Sequence, residues 1–143
     1  MNVAAILKAK GRLVTTAQAT DSVEDVARKM AGKRIGAIVI VNDGGAVQGI
    51  VSERDIVRGI GEKGPEILRR PVGELMTKSV ITCSEHNSLD EMMSVMTQGR
   101  FRHVPVVVDG QLAGIISIGD VVKHHIAEVQ LEVTAMREYL ATG

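Results

Sequence analysis

The chain has 143 residues, of which 45% are hydrophobic, 24% charged and 1% aromatic, a size and make-up that suit one globular unit or two small ones sharing a core. Seventeen Lys and Arg balance seventeen Asp and Glu, so no overall field draws in nucleic acid or anionic lipid. With Phe101 and Tyr139 as the only aromatic residues, a row of rings on which single-stranded bases could stack is excluded as well.

Residues 1–13 form an N-terminal segment with a short apolar patch at positions 3–7, expected to be helical. It lacks the basic start and longer apolar core of a secretory signal. No apolar run approaches the roughly 20 residues that span a bilayer. Cys83 is the sole cysteine, which rules out an intrachain disulfide and any CxxC motif. A soluble, cytoplasmic protein is expected.

From residue 14 the chain reads twice. Asp21-Ser22-Val23-Glu24 matches Asn87-Ser88-Leu89-Asp90, 66 positions on, and the same spacing aligns Thr16 with Thr82, Met30 with Met96 and Arg34 with Arg100. One residue drops out in the following turn, after which Gly49, Ser52 and Asp55 align with Gly114, Ser117 and Asp120. So long a period points to two copies of a small domain rather than a solenoid. The copies are placed at 14–62 and 77–126, joined by a Gly-, Pro- and charge-containing linker at 63–76.

Each copy predicts the same elements in the same order. An extended piece holds Val14-Thr15-Thr16 or Val80-Ile81-Thr82. Ser22 or Ser88 then caps a helix, with Asp25 or Glu91 three positions on. Val23, Val26, Ala27 and Met30 fall at helical spacing, as do Leu89, Met92, Met93 and Met96. The β-branched runs at 38–41 and 104–108 suit strands buried on both faces. Asn42-Asp43-Gly44-Gly45 and Asp109-Gly110 turn them into hairpins with 47–51 and 112–116. A second helix begins near Ser52 or Ser117. The result is a mixed α/β (α+β) unit of tandem β-α-β-β-α repeats. At about 60 residues a copy alone is marginal, so the two are expected to share what each leaves open.

The last helix runs past its repeat into residues 127–143. Val122, Ile126, Val129, Val133, Met136 and Leu140 step by four and three in alternation, a heptad seam. It serves either packing within the domain or contact with a second copy, and its length favours the homodimer.

Gly49-Ile50-Val51-Ser52-Glu53-Arg54-Asp55 and Gly114-Ile115-Ile116-Ser117-Ile118-Gly119-Asp120 are the sharpest local signals. Each carries a strand into a helix N-terminus, where free N–H groups and the helix dipole favour anions. Ser offers a hydroxyl, Asp two acceptors for the hydroxyls of a ribose, and Arg54 a bidentate phosphate donor. The same Ser-x-x-Asp is also a plain capping box, and the two roles are compatible. A basic edge, Arg100-Phe101-Arg102-His103-Val104-Pro105, precedes the second buried run and is expected to face the Ser117 turn. The first copy has Lys33-Arg34-Ile35-Gly36-Ala37 there, so two clefts would differ in affinity.

These residues resemble a known family. Two β-α-β-β-α copies, each with GhhSxxD, and His103-Val104-Pro105-Val106 in the second, are similar to the cystathionine β-synthase (CBS) domain pair, or Bateman module. The resemblance spans about 14–126. It implies a pseudo-two-fold pair that binds adenosine-containing ligands in clefts between the repeats: AMP, ADP, ATP, NAD or S-adenosylmethionine. It assigns ribose binding to Asp55 and Asp120, help with ribose or phosphate to Ser52 and Ser117, phosphate or adenine contacts to Arg102 and His103, and the border of the base to Thr16 and Thr82. The first copy departs from the pattern at Gly36, Ala37 and Val39. The candidate ligand residues are thus Thr16, Arg34, Gly36, Ala37, Ser52, Arg54 and Asp55, with Thr82, Arg100, Phe101, Arg102, His103, Pro105, Ser117, Ile118 and Asp120. The cationic edge of Arg54, Arg100, Arg102 and His103 suits phosphates over a sulfonium, which ranks AMP, ATP and NAD first.

Catalysis is not expected. Cys83 has no neighbour in sequence that would activate it. His124 and His125 are adjacent rather than four apart, so they do not make a zinc pair, and no metal is required. GxxxxGK[ST] and GxSxG are absent. Two readings of function remain: a nucleotide sensor acting on an unknown protein in trans, and a dimerisation or interaction module without ligand-dependent output.

Overall fold

The computed structural model describes residues 1–142, and in it the two β-branched runs anchor two separate sheets. In the first copy β1 (Thr16–Ala17) runs parallel to β2 (Ala37–Val41), which pairs antiparallel with β3 (Val47–Ser52). In the second, β4 (His103–Val108) pairs antiparallel with β5 (Gln111–Ser117). The turn between them has both Asp109 and Gly110 in the left-handed region, with φ 51° and 76°, as a tight two-residue hairpin demands.

The extended piece expected at Val80-Ile81-Thr82 does not form a strand. Only Cys83 pairs there, by a parallel bridge to Val106. β-Branching marks residues that suit a pleated surface, but Ile81 and Thr82 meet no sheet neighbour and stay exposed.

Serine caps set the helices. Ser22 Oγ accepts from the Asp25 amide at 3.0 Å and opens α2 (Val23–Lys33). Ser88 does the same for α4 (Leu89–Gly99), at 3.1 Å from the Glu91 amide. Both helices end on an arginine in the left-handed conformation, Arg34 at φ 54° and Arg100 at φ 57°. Glycine usually holds that position. β3 and β5 lead straight into α3 (Glu53–Lys63) and α5 (Ile118–Thr142).

Each copy has its own core, completed by a segment from outside it. Val23, Val26, Met30, Ile38, Ile40 and Val51 gather with Val72. Leu89, Met92, Met96, Val104, Val106 and Ile116 gather with Val3, Ile6 and Leu7 of α1 (Val3–Lys10). The helix ahead of the first copy therefore packs on the second. Residues 63–76, read from composition as a linker, hold two 3-10 turns, Pro65–Arg69 and Val72–Glu74, whose Ile67 and Val72 are buried.

The two insertions repeat bond for bond. The Val72 amide donates to Asp21 O at 2.7 Å and the Val3 amide to Asn87 O at 2.9 Å. The Gly73 amide donates to Ala19 O at 2.9 Å and the Ala4 amide to Glu85 O at 3.0 Å. In both motifs the glycine makes room for the incoming side chain. A Cβ on Gly49 would lie 2.5 Å from Met76 Sδ, and one on Gly114 would lie 2.7 Å from Leu7 Cδ2. This reciprocal exchange is the pseudo-two-fold relation at atomic scale.

The start of α5 packs through Val121 against the second core. From Val129 onward every described residue of the helix is exposed. No helix among the described residues is long and apolar enough to cross a membrane.

Candidate functional site

Both Ser-x-x-Asp turns form caps, and both leave acceptor capacity over. Asp55 Oδ2 accepts from the Ser52 amide at 2.8 Å and from Ser52 Oγ at 3.0 Å, while Ser52 Oγ accepts from the Asp55 amide at 3.3 Å. Asp120 Oδ2 accepts from the Ser117 amide at 2.9 Å, and Ser117 Oγ accepts from the Asp120 amide at 3.1 Å. One carboxylate oxygen does the capping in each turn. Among the described residues the other oxygen, Oδ1, takes no hydrogen bond in either Asp55 or Asp120. It is free to accept from a ligand.

A cleft of about 350 Å³ opens between the copies at the first turn. Gly36, Ala37, Ser52, Glu53, Arg54, Asp55 and Arg58 line one side, and the other is formed by Thr77, Ser79, Val80 and Ile81 with residues 99–103. Arg100, Arg102 and His103 thus line this cleft with Ser52 and Asp55 of the other copy, while their edge also adjoins the Ser117 turn, as expected. The reason lies in the strand. His103 pairs in register with Ser117, and Arg102 O accepts from the Ile118 amide at 2.8 Å. The edge meets its own turn by main chain and sends its side chains across the seam.

Charge collects in this cleft. None of Arg54, Arg58, Arg100 and Arg102 is ion-paired among the described residues. Four guanidinium groups therefore share the cleft with two carboxylates, Asp55 and Glu53. Phe101, the chain's only phenylalanine, is 36% exposed there. His103 is half-buried there. Burial, helped by the Lys10 charge, holds its pKa below the ordinary histidine value against the opposing pull of Asp120 and Glu53. Gly36 lies between the two copies here. A Cβ on it would lie 3.3 Å from Glu53 Oε1 and 3.5 Å from His103 Cε1.

The remaining candidates lie elsewhere. Thr16 sits on β1 paired with Val39, its carbonyl accepting from Lys29 Nζ at 3.3 Å. Arg34 borders a shallow hollow with Gly36, Glu53 and Ile56 on the outer side of α3. Thr82 is exposed beside the Cys83 bridge and does not line the cleft. Pro105 is buried in β4, where its carbonyl accepts from the Cys83 amide at 3.0 Å. Ser117, Ile118 and Asp120 belong to the second turn.

At that turn Lys10 Nζ lies 2.7 Å from Asp120 Oδ2 and 3.1 Å from Ile115 O. Partial burial pushes the Asp120 carboxyl up, but the Lys10 ammonium and the Ser117 amide outweigh it and hold the group below the usual carboxylate range. Burial pushes the Cys83 thiol up to about 11. Among the described residues no three His, Cys, Asp or Glu side chains gather as a metal site would need.

Several cleft residues escape a sequence reading. Arg58 follows Arg54 by one helical turn, a visible signal. Thr77, Ser79, Val80 and Ile81 reach the cleft only because their segment crosses to the other copy, which no local pattern announces.

Two copies of one helix–hairpin–helix unit, each completed by the other's leading segment and joined at a cationic cleft, define a tandem-repeat protein with an inter-repeat cleft. The CBS domain family model matches residues 12–62 and 72–126, and the chain belongs to that family. It is 35% identical over 127 residues to the mitochondrial CBS domain-containing protein CBSX3 of Arabidopsis thaliana. That match covers 86% of this chain and 62% of the relative, so the chain spans less than two thirds of that protein's length. Among solved structures, a CBS-domain containing protein from Agrobacterium tumefaciens superposes with a TM-score of 0.84 at 43% identity, covering 87% of this chain and 99% of the other. A CBS domain pair in complex with 5′-methylthioadenosine and S-adenosyl-L-methionine matches with a TM-score of 0.79 at 25% identity, over 90% and 98% of the two chains. CBSX2 in complex with AMP matches with a TM-score of 0.70 at 27% identity, over 83% and 90%.

Proposed function

We propose that this chain is a non-catalytic regulatory module that binds an adenosine phosphate, of the AMP, ATP or NAD type, in the cleft at Asp55. It passes the occupancy on to a partner protein as a signal of energy or redox state. The observation that carries the reading is the pairing of an Asp55 oxygen left free by the cap with four guanidinium groups free of ion pairs, across about 350 Å³. A ribose fits the first and phosphates fit the second. The solved complexes of relatives with AMP and with S-adenosyl-L-methionine support an adenosyl ligand. The four arginines favour the phosphate-bearing members, because a sulfonium there meets like charge.

Thermal unfolding with each ligand tests this. A specific nucleotide at ~100 times its dissociation constant stabilises the chain by ~2.7 kcal/mol, and S-adenosylmethionine gives less. A melting temperature indifferent to AMP, ATP and NAD alike sinks the sensor reading.

The exposed stripe on α5 favours a second role, self-association. Ile126, Val129, Val133, Met136 and Leu140 are all exposed along one heptad seam, and a second copy of the helix covers them best. Sedimentation should give a dimer, and Val133→Glu with Met136→Glu should give a folded monomer whose melting temperature no longer depends on protein concentration. Wild-type chain sedimenting as a monomer refutes it.

A further inference from the structure

The two Ser-x-x-Asp turns are built alike, and at the second the chain itself sets a cation on the carboxylate. Leu7 sits on Gly114 as Met76 sits on Gly49, which brings Lys10 to the place that Ser79 holds in the other copy. Ser79 is short and lines an open cleft. Lys10 is long, and its ammonium reaches the Asp120 carboxylate at 2.7 Å and the Ile115 carbonyl at 3.1 Å. The helix that ends at Lys10 is anchored by the buried Val3, Ile6 and Leu7, so the ammonium is held at the turn rather than left to wander.

We infer that Lys10 is a built-in occupant of the second cleft, a specificity-determining residue that takes the ribose-type carboxylate of Asp120 and restricts nucleotide to the Asp55 cleft. The inference rests on the nucleotide reading above and adds to it a stoichiometry and its cause. A ribose diol entering at Asp120 meets a carboxylate whose Oδ2 already holds the Lys10 ammonium, so even at the free Oδ1 it must share the group with that cation. The Asp55 carboxylate holds no cation among the described residues. Gly119 also stands where Arg54 does in the first motif, so the second cleft, once opened, binds the more weakly of the two.

Calorimetric titration of the full chain with AMP, and separately with ATP, tests this. Wild type should bind one nucleotide per chain. Asp55→Asn should abolish that binding and Asp120→Asn should leave it intact. Lys10→Met, which keeps the aliphatic stem, should reveal a second site at least roughly tenfold tighter than any residual second binding in wild type, the scale of one charge-assisted hydrogen bond. Lys10→Arg should behave as wild type. Two equal sites in wild type, or a single site persisting in Lys10→Met, overturns the inference and leaves the nucleotide reading standing. No binding by any of these proteins overturns both.

Discussion

The exchange of leading segments between the copies predicts a specific coupling. In Gly114→Ala the new methyl would lie 2.7 Å from Leu7 Cδ2 and 3.1 Å from its Cδ1. Overpacking of this kind costs about 1–3 kcal/mol. Leu7→Ala alone empties a side chain that is 1% exposed, at a cost of about 2–5 kcal/mol. The two perturbations should not add. With Leu7 cut back, the methyl introduced at position 114 projects into the space it vacated, so the double variant should be more stable than the sum predicts by about 0.5–3 kcal/mol. Urea unfolding of the four proteins, with m-values checked for constancy, measures the coupling. Additivity within about 0.5 kcal/mol would refute the idea that glycine is there to admit the exchanged helix.

Other outcomes follow from the titrating groups. His103 has a depressed pKa, so below about pH 6.5 the unfolded chain binds more protons than the folded one and stability falls on acidification. Replacing it in His103→Asn should flatten the slope of stability against pH in that range. Asp120 is also depressed, and its contribution is present above about pH 4 and lost as pH falls through its folded value. Lys10→Met raises that value, so acid unfolding should begin at higher pH than in wild type. Cys83, buried and pushed up to about 11, should resist iodoacetamide at pH 8 while folded and react once the chain is in urea. Rapid labelling of the native protein would show that the second core opens locally there.

Much of the architecture was legible because its determinants are local. Ser22, Ser88, Ser52 and Ser117 announce their helices through bonds to residues three positions on, and Asp109-Gly110 announces its hairpin through left-handed backbone that few other pairs adopt. The duplication showed directly in the aligned motifs. What was not legible depends on long-range placement. The apolar spacing of Val3, Ile6 and Leu7 says that they are buried but not in which core. Val80-Ile81-Thr82 has the composition of a strand, and only the absence of a partner edge denies it one. Arg34 and Arg100 stand in left-handed backbone that a sequence reading would assign to the preceding or following glycine. Lys10, one of seventeen basic residues, carries no local sign that it meets Asp120. The basic edge was found beside the Ser117 turn it adjoins, but that it also lines the Asp55 cleft was not legible, because this depends on how the two sheets face.

The reciprocal packing also orders events in time during synthesis. The α1 helix leaves the ribosome ahead of both repeats, yet its seat includes Gly114 and Ile115, and the bond from Lys10 to Ile115 spans 105 residues. At about 5–20 residues per second, that partner follows roughly 5–20 s later. For that interval Val3, Ile6 and Leu7 have no core to enter and are available to chaperones. The first repeat closes sooner, as soon as Val72 and Met76 emerge. The nascent chain should therefore resist protease from residue 16 to the first repeat's end well before α1 is protected.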